Sequence, residues 1–335
     1  MILCILVALW IFFECLFELC NVAPAETLTQ IIGAHSRYFA ARVSPFKPPR
    51  TISGSTTQTI SAFLLYQYNR SKWTDLSPCV KLYGGNNGGK RSVLLCVPGL
   101  NCNWNAHYVR QLAFACESMG IACAVLVRSD ADVGNTAELQ QGIEDLKHHF
   151  SSLGIVGISA GGNIACRYLA KENEKSWIKF CMVVSNGFDL DETMRHMPFK
   201  WSCLLAPGYA GVLTRSMNWY MSIWHAHQYV ASQLGQTLCD YHEMRGSIRH
   251  LKECACYSKI PLVVVSSMDD PFFSGKHMFE HIKRAIELSK EHGNDAITAI
   301  ITSHGGHVGW NKKLVGRDCS WLYTDVLPVI CRRFL

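Results

Sequence analysis

From residue 92 onward, short apolar runs alternate with amphipathic stretches. Ser92 to Val97, Ile121 to Val127, Gly154 to Ile158, Ile178 to Val184, Leu262 to Ser266 and Ala296 to Thr302 are continuous in apolar and β-branched residues. They lack the in-and-out alternation of a strand with one wet face. Such runs predict strands of a mostly parallel sheet buried on both faces. Helices fall between them. Over 105–119, Val109, Leu112, Ala113 and Cys116 share a face, and Gly120 is the stop. Over 136–150, Asn135 and Glu138 read as a capping box before a stripe of Leu139, Ile143, Leu146 and Phe150. Ile164, Ala165, Tyr168 and Leu169 mark another helix, 275–290 a fourth, and 319–334 is predicted helical up to Pro328. Strands alternating with helices give an α/β fold with helices on both faces of the sheet.

The alternation breaks over about 187–250, which predicts an inserted helical cap. This stretch is rich in large apolar side chains: Phe199, Trp201, Tyr209, Met217, Trp219, Tyr220, Met221, Trp224 and Tyr229. A small helical core of its own and an apolar path for a ligand need the same residue types, so composition does not separate the two.

The N-terminus is the most hydrophobic window. Ile2 to Phe13 carries no charge, and Glu14 and Glu18 then intrude. A spanning helix needs about 20 apolar residues, so this segment fits an interfacial anchor or a signal h-region better. The basic residues of a signal peptide are missing, and the first cations (Arg37, Arg42, Lys47, Arg50) follow the segment. The positive-inside tendency then places the body on the cytoplasmic side. A membrane anchor over 1–20 is the expectation, with cleavage near Ala23-Pro24-Ala25 or a helix buried on the body as alternatives. Residues 21–90 read as a linker and arm, with Pro45, Pro48 and Pro49 and a glycine-rich turn from Gly84 to Gly89. Asn69-Arg70-Ser71 is a glycosylation sequon. The catalytic domain is expected over 91–335.

At 335 residues, 49% hydrophobic and 17% charged, the chain can bury a sizeable core. Its net charge of +6 is spread without a dense Lys/Arg run, which excludes a nucleic-acid footprint. Among 16 cysteines, Cys96, Cys123, Cys166 and Cys181 sit inside apolar patterns and read as small buried hydrophobes. Cys254-x-Cys256 has no matching Cys or His pair at zinc spacing, so neither a metal nor an organic cofactor is expected.

The candidate chemistry centres on Gly157-Ile158-Ser159-Ala160-Gly161, a G-x-S-x-G sequence between an apolar strand and a helix. A serine on such a turn is lifted above the sheet, and only small residues fit around it. Its hydroxyl is a poor nucleophile until an imidazole takes its proton and a carboxylate fixes that imidazole's tautomer. The chain supplies these in the order Ser, Asp, His. Asp269 and Asp270 follow the strand at 262–266, and the Asp270-Pro271-Phe272-Phe273 turn favours Asp270, with Asp269 as the alternative acid. His307, with His304 as alternative, lies in a glycine-rich loop after the last strand. Two backbone N–H groups would complete the site by stabilising an oxyanion: Ala160, next after the serine, and Leu100 in the loop Val97-Pro98-Gly99-Leu100-Asn101.

Pro98-Gly99-Leu100, Gly157-x-Ser159-x-Gly161-Gly162-Asn163, Val184-Ser185-Asn186-x-Phe188-Asp189, Asp269-Asp270-Pro271-Phe272 and Gly305-Gly306-His307-x-Gly309 together resemble the membrane-associated α/β-hydrolase (ABHD) branch that includes the bacterial YheT-like esterases. The resemblance covers about 90–334. It implies a carboxylesterase, acylglycerol lipase or phospholipase acting on lipid esters at a membrane. Two other classes stay open: an acyltransferase that delivers the acyl group to an alcohol, and a catalytically silent hydrolase fold used as a receptor or scaffold. No His-x-x-x-x-Asp acyltransferase sequence occurs.

Overall fold

The computed structural model describes residues 2–20, 28–49, 52–64, 73–84, 89, 91–100, 102, 104–128, 134–172, 176–213, 222–313 and 319–335. The Asn69 sequon, the Ala23–Ala25 stretch, Asn101 and the aromatic run Met217 to Met221 lie outside the described residues, as does the side chain of Tyr209.

The chain begins α1 (Ile2–Cys20), β1 (Thr29–Gly33), α2 (Ser36–Ala40), α3 (Ser55–Leu64), β2 (Trp73–Ser77) and β3 (Val80–Tyr83). Alternation follows: β4 (Ser92–Val97), α4 (His107–Met119), β5 (Ala122–Leu126), α5 (Ala137–Lys147), β6 (Ser152–Ile158), α6 (Ala160–Lys171) and β7 (Ile178–Val184). Five helices interrupt it: α7 (Leu190–His196), α8 (Phe199–Leu213), α9 (Ile223–Gln233), α10 (Leu238–Arg245) and α11 (Ile248–Tyr257). Then come β8 (Leu262–Ser267), α12 (Gly275–Glu291), β9 (Ile297–Thr302), a π-helical turn (Leu322–Val326) and α13 (Leu327–Phe334).

These strands make a nine-stranded sheet in the order β1-β9-β8-β7-β6-β4-β5-β3-β2. The pairs from β5 through β4, β6, β7 and β8 to β9 are parallel. Both faces are buried, as the continuous apolar runs require. Val93, Leu95 and Val97 of β4 pack with α5, α6, α11 and α12 on one side. Leu94 and Cys96 pack with α2, α4 and α13 on the other. Each fully buried aliphatic side chain contributes about 1.5–3 kcal/mol. Cys96, Cys123, Cys166 and Cys181 are free and buried.

Four expectations need correction. First, residues 21–90 are more than a linker: β1 pairs antiparallel with β9 at one edge of the sheet, and β2 and β3 finish the other. Short strands with mixed polarity gave little pattern to read. Second, α1 is not an anchor free of the body but packs on it, as one of the alternatives allowed. Val7 and Ile11 are buried, Lys200 pairs with Glu14, and the Glu18 carboxylate accepts from Thr56 N and Thr57 N at 3.1 and 2.8 Å. Glu18 thereby satisfies free amides at the start of α3 and opposes its positive end. Third, Pro328 does not end the last helix. It sits in the first turn of α13, where its missing N–H costs nothing. The capping box at Asn135 is likewise replaced by a tighter turn, with Asn135 Oδ1 accepting from Ala137 N at 2.9 Å.

Candidate active site

Three loops at the carboxyl ends of β6, β8 and β9 meet at one point. Ser159 lies between β6 and α6 with φ 54° and ψ −125°, left-handed and strained for a residue with a side chain. Close packing holds it there. A Cβ on Gly161 would fall 2.0 Å from Val97 O, and one on Gly157 would fall 2.8 Å from Gly161 O. Only glycine lets the backbone approach so closely. The Pro98–Leu100 loop also runs against the serine, since a Cβ on Gly99 would sit 3.1 Å from Ser159 Cβ.

His307 Nε2 is 2.9 Å from Ser159 Oγ, and His307 Nδ1 is 2.8 Å from Asp270 Oδ2. A carboxylate only accepts, so Nδ1 carries the proton and Nε2 keeps its lone pair toward the serine hydroxyl. His307 is 2% exposed and Asp270 5%. Burial pushes the Asp270 carboxyl above its ordinary range, against the opposing pull of His307 and of the Phe272 N–H on Oδ1 at 2.9 Å. The Phe272 ring stacks on the imidazole with centroids 4.1 Å apart.

The competing pair is also resolved in space. Asp269 Oδ1 accepts from Gly306 N at 2.9 Å, and its Oδ2 lies 3.3 Å from His304 Nδ1. The hydrogen bond that His304 donates to Asp269 holds the His304 pKa above its ordinary value. Asp269 and His304 therefore brace the turn that presents His307 and do not reach the serine.

Three further residues that support this loop escaped the sequence reading. Thr59 Oγ1 accepts from His307 N at 2.8 Å, Ser185 Oγ accepts from Val308 N at 3.0 Å, and Ser267 Oγ donates to Gly306 O at 2.8 Å. Gln58 adds a clamp, accepting from Asn311 N at 2.8 Å. Gln58 and Thr59 sit in the short polar helix α3 and carry no motif, whereas Ser185 and Ser267 stand at strand ends where no supporting part was legible in the sequence. Thr59→Val is expected to leave the buried His307 N–H unpaired, costing roughly 1–3 kcal/mol of stability. Turnover should fall through kcat with KM little changed. Steady-state kinetics beside a melting curve checks this, and an unchanged kcat would leave Thr59 no positioning part.

Above Ser159 opens a cleft of about 880 Å³, counting the space at its mouth. Leu100, Met194, Met197, Leu205, Ile223 and Phe273 give it an apolar wall, and Ala160 borders the serine. The cap supplies much of this wall. Within the aromatic stretch, Trp201 is fully buried with its ring edge-on to Phe272 at 5.1 Å, whereas Phe199 is 54% exposed. Part of that stretch is cap core, and its neighbours Met194, Met197, Leu205 and Ile223 line the cleft.

No family model matches the chain. Curated proteins do. It is 23% identical over 290 residues to a zebrafish (Danio rerio) protein named monoacylglycerol lipase ABHD2, covering 73% of this chain and 65% of that one. It is 24% identical over 265 residues to mouse (Mus musculus) phospholipase ABHD3, covering 69% and 61%. The chain thus spans somewhat less than two thirds of these relatives' length. Among solved structures it is similar to an esterase of Pyrococcus furiosus, at 18% identity and a TM-score of 0.47 over 80% of this chain and 90% of that one. The nine-stranded, mostly parallel sheet is that of an α/β-hydrolase, and in sequence the chain is similar to ABHD proteins of that fold.

Proposed function

We propose that the protein is a serine hydrolase that cleaves carboxylic esters of lipids, with Ser159 as nucleophile, His307 as base and Asp270 as the acid that orients it. The hydrogen-bonded line Asp270–His307–Ser159, opening into an apolar cleft, carries this reading. His307 Nε2 takes the serine proton as Oγ bonds to the ester carbonyl carbon. The N–H groups of Leu100 and Ala160 donate to the oxyanion that forms. The imidazolium, stabilised by Asp270, returns the proton to the leaving alkoxide as the C–O bond breaks, and an acyl-enzyme remains. Water repeats the cycle and releases the fatty acid. No step needs a cofactor. The relatives named monoacylglycerol lipase and phospholipase support acylglycerols and glycerophospholipids as the substrate class. A panel of long-chain monoacylglycerol, phosphatidylcholine and a short-chain ester tests this, alongside a fluorophosphonate probe mapped by peptide mass. Labelling at Ser159 with release of fatty acid is expected. A folded protein that neither labels nor cleaves any ester would overturn it.

The N-terminal helix gives the enzyme a membrane surface. Among the described residues no helix is long and apolar enough to cross a membrane. Yet Leu9, Trp10, Phe12, Phe13, Leu16 and Phe17 of α1 are each 45–68% exposed, and five of them recur at i, i+3, i+4, i+7 and i+8. Such a face lies in the plane of a bilayer, not through it. Phe13→Glu with Phe17→Glu is expected to lower vesicle binding at least tenfold while short-ester turnover stays intact. A chain starting at Glu26 should lose both, because Glu18 no longer caps α3, which holds Thr59 and through it His307. Co-sedimentation with phosphatidylcholine vesicles and a soluble-ester assay separate the two. Vesicle binding unaffected by the double variant would remove α1 from the membrane contact.

A further inference from the structure

A second cluster of ligand-type side chains lies between α7 and α12, outside the Ser159 site. Glu192 and His196 stand one turn apart on α7, and His277 and His281 one turn apart on α12. Glu192 Oε1 meets His277 Nδ1, while Glu192 Oε2 lies 2.9 Å from His281 Nε2. The rings of His196 and His277 are 4.9 Å apart between centroids. Glu192, His196 and His277 each offer one ligand atom, and these atoms lie within 4.8 Å of one another. Two imidazoles and a carboxylate are the ligands that zinc-class ions prefer.

The surrounding hydrogen bonds favour ligation. His196 Nδ1 is 3.0 Å from the carbonyl oxygen of Glu192. A carbonyl only accepts, so Nδ1 holds the proton and Nε2 keeps the lone pair that a metal takes. His281, on the other carboxylate oxygen, fixes the plane of Glu192. These are the contacts that outer-shell partners make around metal ligands. Asp189 also approaches Glu192 and His281, but it caps α7 by accepting from Glu192 N at 3.0 Å. A search of Cys and His spacings misses the cluster because Glu192 and His281 are 89 positions apart.

We propose that Glu192, His196 and His277 form a binding site for one divalent transition-metal ion of the zinc class. His281 positions the carboxylate, and a solvent molecule takes the fourth place. The ion would join a cap helix to a core helix. α7 supplies Leu190, Thr193 and Met194 to the cleft wall, and α12 begins directly after the loop that carries Asp270. Metal binding would thereby fix the wall of the cleft against the loop beneath it, and it does not depend on the hydrolase reading.

The test is titration of the full chain with cobalt(II) followed by displacement with zinc(II), read by visible absorption and by melting temperature. One equivalent of cobalt with tetrahedral d–d bands and no thiolate charge-transfer band is expected, and zinc should raise the melting temperature. His196→Ala and His277→Ala should each weaken binding about 100-fold, and His281→Ala about tenfold. His250→Ala, whose ring pairs with Glu253 on α11, should bind as the wild type does. His196 is exposed, so its removal leaves the fold intact, as circular dichroism will register. No stoichiometric binding, a thiolate band, or unchanged affinity in the His196→Ala, His277→Ala double variant would each overturn the site.

Discussion

Ser159→Ala is expected to lower ester hydrolysis about 10⁴-fold or more, equivalent to roughly 5.5 kcal/mol of barrier, while the melting temperature barely moves. The two halves of this result have separate causes. Without Oγ no covalent bond to the acyl carbon can form, and His307 then has no proton to take. What remains is whatever the oxyanion donors and the cleft supply to attack by water. The fold loses little, since Ser159 Oγ contacts His307 Nε2 at 2.9 Å and fills no part of either face of the core. Alanine also relieves nothing of the left-handed φ of 54°, so the strain stays as it was. Turnover and melting curves on the same preparation decide the matter. A folded variant that keeps near-normal turnover would remove Ser159 as the nucleophile and the mechanism with it.

Asp270→Asn is expected to cost about 10⁴-fold in kcat without loss of stability. An asparagine that turns its amide toward His307 Nδ1 donates where the carboxylate accepted. The imidazole then protonates on Nε2, and the lone pair that should face Ser159 is gone. Stability runs the other way. Burial raises the Asp270 pKa in the folded protein above its unfolded value. Above the unfolded value the fold therefore bears the charge at a cost, and the cost fades as pH falls through the folded value. Removing the carboxylate removes that cost near neutral pH, so the melting temperature at pH 7 should hold or rise. Asp269→Asn makes the contrast. It weakens the brace on Gly306 and His304 and should cost far less in kcat. If Asp269→Asn proves the more damaging of the two, the acid has been misassigned.

The pair of aspartates also shows where reading a sequence stops. Asp269 and Asp270 are adjacent, both follow β8, and both face a histidine of the same loop. Spacing favours Asp270 only through the turn that Pro271 to Phe273 makes after it. The assignment in space rests on which oxygen lies 2.8 Å from His307 Nδ1 and which lies near Gly306 N. The N-terminal helix is a sharper case. Its uncharged run from Ile2 to Phe13 reads as a membrane segment, yet Val7 and Ile11 pack on the body while the opposite side stays exposed. Hydrophobicity counts residues, whereas docking depends on which of them share a face with a partner surface.

The six parallel strands from β4 to β9, the helices between β4 and β7, the turn at Ser159 and the order in which Ser159, Asp270 and His307 follow one another were legible in the sequence. These are local matters: periodicity of burial, glycine where a side chain would collide, and residues held at strand ends. Tertiary structure alone decided the rest. It placed β1 beside β9, set Glu18 on the first turn of α3, and put Thr59 under the backbone of His307. It also gathered Glu192, His196 and His277 from two helices. Each of these pairings joins positions far apart in the chain through one or a few polar atoms. Such contacts leave no periodic trace, because a single hydrogen bond needs only one suitable residue at one place, and many sequences supply it.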